Sequence, residues 1–221
     1  MATLLFVGCD DRGTENPKMY VTAESEYGNF VYNKVGFNEM TFHFQLDGPN
    51  SKLIERKINV NNSNDMGSFI GTGSSLFVIT DENGYAEGRF FARDGYGIAN
   101  LEFVLDDWQS ENVTFSIPIF DFPAIDSLVA TTYTLDADGI SSTGISAYIS
   151  SENIDFGNSD NQIKILFEAA QGELTQTIST VDVLGIASSN FIAPNQPANV
   201  KVKAKLDLYP AIYKSITIKC E

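Results

Sequence analysis

Residues 40–46 read Met-Thr-Phe-His-Phe-Gln-Leu, alternating apolar and polar positions with a period of two. That is the period of a strand with one buried face, and it points Met40, Phe42, Phe44 and Leu46 inward and His43 outward. Similar short runs recur at 76–80, 86–92, 98–105, 113–119, 163–167, 200–206 and 216–220. Turn-forming clusters separate them: Asp47-Gly48-Pro49-Asn50, Glu82-Asn83-Gly84, Asp94-Gly95, Asp138-Gly139 and Pro194-Asn195. No long stretch has the 3.6-residue period of an amphipathic helix. Many short strands spaced by turns predict an all-β chain, a sandwich or a barrel.

An internal repeat divides the chain. Residues 80–90 have a counterpart in 181–191, where Asp81, Gly84, Ala86 and Phe90 match Asp182, Gly185, Ala187 and Phe191 at an offset of 101. Ala99-Asn100 aligns with Ala198-Asn199 at a nearly equal offset, and Gly67-Ser68-Phe69 with Gly172-Glu173-Leu174. A period near one hundred is the size of one immunoglobulin-like unit. The join is expected at Phe120-Asp121-Phe122-Pro123-Ala124, where a proline that cannot donate to a ladder follows the last strand of the first unit. The expected organisation is a leader remnant and tether over 1–18, a first domain over 19–122 and a second over 123–221.

The second unit carries a family resemblance. Leu135-Asp136-Ala137-Asp138-Gly139-Ile140, followed by Thr143-Gly144-Ile145-Ser146-Ala147, resembles the opening of bacterial Ig-like domains of the invasin and intimin type. There an "ADG" turn leads into a "T-x-I-x-A" strand. The later order also fits: an apolar strand at 163–167, Gly172, an Asp-x-x-Gly-x-Ala turn, and a closing strand ending in Ala204. The first unit matches from Gly67 to Val104, whereas its opening, 20–53, lacks the ADG turn. The resemblance implies two tandem immunoglobulin-like β-sandwich domains at a cell surface, with a protein or glycan partner.

The repeated turn has a structural reading. Asp81 and Asp182 can accept from backbone amides while Gly84 and Gly185 take positive φ, and Ala86 and Ala187 fall where a larger side chain would collide with the facing sheet. The chemical alternative is calcium, because Asp136-Ala137-Asp138-Gly139 and Asp81-Glu82-Asn83-Gly84 copy the start of a calcium loop. Ile140 and Tyr85 then stand where a ligand is needed, which favours the turn. A calcium site at the join, drawing on Asp121 and Asp126, stays open. No cofactor and no metal are otherwise expected.

Composition narrows the chemistry. Fourteen Lys and Arg against 29 Asp and Glu give a net charge of −15, which disfavours nucleic acid and acidic lipid surfaces as partners. One histidine excludes multi-histidine metal centres, and two cysteines exclude a structural zinc site. No catalytic residues emerge: a triad would have to use His43, whose strand position faces solvent. Cys220 is in phase with Ile216 and Ile218 and reads as a small apolar residue near a strand end. A weak sugar-binding signal lies in the aromatic residues Trp108, Tyr96 and Phe120, since an exposed ring can stack on a pyranose. The other reading of Trp108, within Asp106-Asp107-Trp108, is a turn whose indole covers the core's edge.

The N-terminus suggests an address. A short apolar run ends in Phe6-Val7-Gly8-Cys9, which resembles the lipobox of bacterial lipoproteins, although Phe6 stands where leucine is usual. The resemblance implies a signal peptide cut before a lipidated Cys9, a polar tether after it, and a place in the bacterial cell envelope at the outer membrane, the cell surface or the periplasm. A frayed N-terminus, or a Cys9 that pairs with Cys220, is the alternative. The expected function is non-enzymatic: a lipid-anchored spacer or adhesion module. A carbohydrate-binding module and an accessory subunit of an envelope assembly or surface filament are the alternatives.

Overall fold

The computed structural model describes residues 17–48, 55–70, 77–93, 95–105, 112–152, 154–156 and 162–221. Among them there is no helix. The chain divides into two compact units, the first ending at Phe122 and the second spanning Pro123–Glu221. The first contains β1 (Lys18–Glu24), β2 (Val31–Tyr32), β3 (Glu39–Asp47), β4 (Lys57–Asn62), β5 (Gly67–Ile70), β6 (Phe77–Ile79), β7 (Tyr85–Ala92), β8 (Gly97–Leu105) and β9 (Asn112–Phe120). The second contains β10 (Ala124–Ala130), β11 (Thr134–Leu135), β12 (Ser142–Ser150), β13 (Lys164–Ala169), β14 (Glu173–Leu174), β15 (Ile178–Thr180), β16 (Ile186–Ile192), β17 (Ala198–Leu206) and β18 (Tyr213–Cys220).

Each unit is a sandwich of a four-stranded and a five-stranded sheet. The orders are β1-β3-β7-β5 and β2-β9-β8-β4-β6 in the first, and β10-β12-β16-β14 and β11-β18-β17-β13-β15 in the second. Adding nine to each label of the first unit yields the second, so the two topologies are identical. The opening of the first unit, which departs from the family pattern in sequence, therefore follows the same strand order. Gly36 (φ 87°) occupies the β2–β3 connection as Gly139 (φ 78°) occupies the β11–β12 connection.

The strand registers define the repeat more sharply than residue matching does. Ile58 faces Leu105 and Val60 faces Phe103 in one unit, while Ile165 faces Leu206 and Phe167 faces Ala204 in the other. Leu105 thus corresponds to Leu206 and Ala99 to Val200, at the offset of 101. Pairing Ala99 with Ala198 is wrong by two residues. A two-residue slip keeps every side chain on its own face, so sequence alone could not detect it. The strand ending near Ala204 is also not the closing one: it is β17, and β18 follows it in the chain and lies between β11 and β17 in the sheet.

The core follows the alternation. In the first unit Phe42, Phe44, Phe69, Phe103 and Phe115 meet at centroid distances of 5.0–6.4 Å. The second unit packs aliphatic and small residues at corresponding places, with Ala147 facing Ala187 where Phe44 faces Ala86. Glycines at corresponding places in the two units make room for aromatic rings. A Cβ on Gly67 would lie 2.2 Å from the Phe90 ring, and one on Gly172 would lie 2.7 Å from the Phe191 ring and 2.4 Å from the Ile192 carbonyl. Strand β10 contains a register shift between Ile125 and Ser127, which breaks the period of two and hides this strand from a pattern search.

Candidate interaction surfaces

The repeated turns are built alike. Asp81 Oδ1 accepts from the amides of Asn83 (2.8 Å) and Tyr85 (2.9 Å), and Asp182 Oδ1 from those of Leu184 and Ile186 (both 2.9 Å). Gly84 and Gly185 have φ of 76° and 78°. The third turn is similar: Asp138 accepts from the amides of Ile140 and Ser141, with Ser141 Oγ on its second oxygen. These amides hold the Asp81 and Asp138 carboxyls below their usual range. The carboxylates are aimed at their own turns. Ala86 is 5% exposed and Ala187 is fully buried. Asp126 accepts from Ser150 Oγ (2.7 Å) and Asp121 from Asn33 Nδ2 (3.1 Å). Among the described residues no group of three or more His, Cys, Asp or Glu side chains is arranged to hold a metal.

Of the sugar-binding candidates, Tyr96 and Phe120 are among the described residues. Trp108 lies outside the described residues, as does Cys9. Tyr96 is exposed in the β7–β8 connection. Phe120 is half-buried at the end of β9, with its ring 5.0 Å from Phe30, so it is part of an internal cluster instead of a free stacking platform. His43 does face outward on β3, where it is shared between neighbouring strands: Nε2 lies 3.3 Å from Glu24 Oε1 and Nδ1 lies 2.7 Å from the Tyr85 hydroxyl. With the proton on Nε2, the ring donates to Glu24 and accepts from Tyr85. Cys220 is buried, and burial pushes its thiol pKa up.

Because the two units share one topology, their differences mark what the fold does not require. The first difference is a longer connection from β1 to β2, residues 25–30, against 131–133 in the second unit. The added residues bring Tyr27 and Phe30 to the end where β9 leaves the unit. There Tyr27, Phe30, Tyr32, Phe37, Phe120 and Phe122 pack at 4.6–6.2 Å. Burial raises the Tyr32 phenol to about 12. The amide of Phe122 donates to Asn33 Oδ1 (3.1 Å), and Lys34 Nζ lies 4.6 Å from the Phe122 ring. Residues 121 and 122 are therefore tied into the first unit. Beside the cluster is a groove of about 410 Å³ bordered by Glu24, Glu26, Glu39, Tyr27 and Phe37. Glu39 is engaged by Arg89 (3.3 Å).

The second difference is charge on the five-stranded sheets. The outward positions of β8 are Ile98, Asn100, Glu102 and Val104; at the same registers β17 has Asn199, Lys201, Lys203 and Lys205. Lys164 on β13 and Lys219 on β18 share that outer face. The sequence signal was the K-x-K-x-K spacing of 201–205, which a strand converts into one row.

No protein-family model matches the sequence, and no curated protein matches it. Solved structures do match in fold. The Escherichia coli adhesin FdeC matches with a TM-score of 0.58 at 9% identity, over 94% of this chain and 66% of that one. A C-terminal 282-residue fragment of intimin, solved with the intimin-binding domain of its translocated receptor, matches with a TM-score of 0.51 at 12% identity, over 92% of this chain and 63% of that one. The chain spans slightly less than two thirds of each. Two sandwiches of one topology, following one another along the chain, thus form a tandem of immunoglobulin-like β-sandwich domains whose fold is similar to those of the FdeC and intimin structures.

Proposed function

We propose that the protein is a non-enzymatic interaction module of the bacterial cell envelope, in which two Ig-like sandwiches carry a binding surface away from a membrane anchor. The observation that carries this reading is the fold itself, two like-folded domains in series, a form shared with an adhesin and with a receptor-binding intimin fragment. Ig-like sandwiches serve many functions, so the surfaces must supply the rest. Those that the fold does not require are the acidic groove, where Glu24 and Glu26 are exposed, and the lysine row on the outer face of the second unit's five-stranded sheet. The partner is a protein or a glycan on a cell surface. The anchor is an acylated Cys9, followed by a polar tether that ends before β1 begins at Lys18.

Two measurements test the reading. Beads coated with the chain should adhere to host or neighbouring cells more than beads coated with an unrelated β-sandwich of equal charge; equal adhesion would remove the interaction role. Mass spectrometry of the native protein should find an acylated N-terminal Cys9. An unmodified Cys9 preceded by an intact Met1 would remove the anchor but leave the module.

A further inference from the structure

The second unit contains six lysines, Lys164, Lys201, Lys203, Lys205, Lys214 and Lys219, and no arginine. All six lie on strands of a single sheet, β11-β18-β17-β13-β15, and none lies on β10, β12, β14 or β16. Lys201, Lys203 and Lys205 alternate with buried Val202 and Ala204, so all three project from the outer face. Lys164 and Lys219 project from the same face on the strands to either side. Successive residues on one face of a strand are about 6.8 Å apart, so β17 presents a straight row of ammonium groups. Among the described residues two carboxylates are engaged with the row and its flank. Glu168 Oε1 engages Lys205 at 2.5 Å, and Glu221 engages Lys219. On the β18 side Lys201 and Lys203 face the neutral Thr217 and Ser215, and on the β13 side Glu168 stands in register with Lys203. Like charges set side by side repel, and the equivalent row in the first unit has none of them, so the fold does not ask for this arrangement.

We propose that this face binds an anionic polysaccharide, its sulfate or carboxylate groups pairing with Lys201, Lys203, Lys205, Lys164 and Lys219. The inference rests on the reading of the chain as an interaction module and names a partner class for it. Charge complementarity selects an anion, because this is where the second unit's cations gather on a chain of net charge −15. The shape of the face selects a polysaccharide over an acidic protein. It is the outer face of a sheet, on which β17 sets flexible point charges in a line that matches the regularly repeated charges of a polysaccharide, while the apolar residues of the face, Leu166 and the exposed Ile178, stand to one side of the row on β13 and β15. Tyr213, half-exposed opposite Lys205 and with its ring 5.8 Å from Lys203 Nζ, offers a flat surface on which a sugar ring can stack.

The test is binding of the full chain to heparin fragments, with uncharged dextran fragments of equal length as reference, at physiological ionic strength. Heparin should bind, dextran should not, and affinity should fall steeply with added salt. The triple variant Lys201→Gln, Lys203→Gln, Lys205→Gln should lose about tenfold or more in affinity. A control triple in the first unit, Lys18→Gln, Lys57→Gln and Arg93→Gln, removes the same charge and should change affinity less than about twofold. The Lys→Arg triple at 201, 203 and 205 should keep binding, which guards against a folding defect in the glutamine variant. Failure of the parent chain to bind heparin, equal loss in the control triple, or loss of binding in the arginine triple would overturn the proposal. So would equal or tighter binding to phosphatidylglycerol vesicles or to polyglutamate, which would reassign the face to a membrane or to an acidic protein. Because the assay uses neither cells nor the anchor, a negative result leaves bead adhesion and Cys9 acylation to stand or fall separately.

Discussion

Gly185 and Gly84 close corresponding turns, each accepting from a backbone amide of a neighbouring strand, Ile149 and Leu46. Both have positive φ, where an L residue is strained, and a Cβ on Gly185 would also come within 2.8 Å of the Ile149 carbonyl oxygen. Gly84→Val and Gly185→Val should each cost about 1–3 kcal/mol. Thermal melting of the two variants checks both costs. The carboxylates of these turns set a pH dependence. Asp138 is held below the ordinary value of 3.8 by hydrogen bonds from Ser141 and Ile140, so folding favours its ionised form. Its contribution is complete above that ordinary value and is lost as pH falls through the lowered folded value. Asp138→Asn should therefore flatten the acid side of the melting-temperature profile of the second unit, measured from neutral to strongly acid solution. Chelator should leave the parent's melting temperature unchanged, since the Asp81 and Asp138 carboxylates are spent on their own amides.

At the scale of elements, small residues on one strand decide how closely the opposite sheet approaches. Ala187 is fully buried and sits in register with Ala147. Ala187→Leu should destabilise by about 1–3 kcal/mol through overpacking. In the first unit Phe103 holds the place of Ala204 and contacts Phe42, Phe44 and Phe69, so Phe103→Ala should cost about 3–5 kcal/mol. Denaturant unfolding of each variant measures both costs. The alternation in β3, β7, β8 and β17 was legible because each buries one face without interruption. Strand β10 was not, because its bulge resets the parity at Asp126. The paired turns were legible because Asp and Gly have local roles. The pairing of Ala99 with Val200 was not, because it is decided across strands.

For the whole molecule, the identity of the two topologies means that each unit owns both of its sheets and no strand is exchanged between them. A fragment spanning 123–221 should accordingly fold alone, with a β-type circular dichroism spectrum and a cooperative melt. A disordered fragment would place the boundary elsewhere. A period of two, a repeat near one hundred residues and turn clusters determine an all-β tandem, because each of these is written in neighbouring residues. The surfaces are another matter. A net charge of −15 predicts a chain that avoids polyanions, but net charge is a sum and carries no positions. Tertiary structure decides where the charges stand: it gathers five lysines from β13, β17 and β18 onto one face, and it seats Phe120 and Phe122 in an aromatic cluster instead of leaving them in an open linker. Strand pairing places residues next to each other that are tens of positions apart in the chain, and that is the step local sequence cannot take.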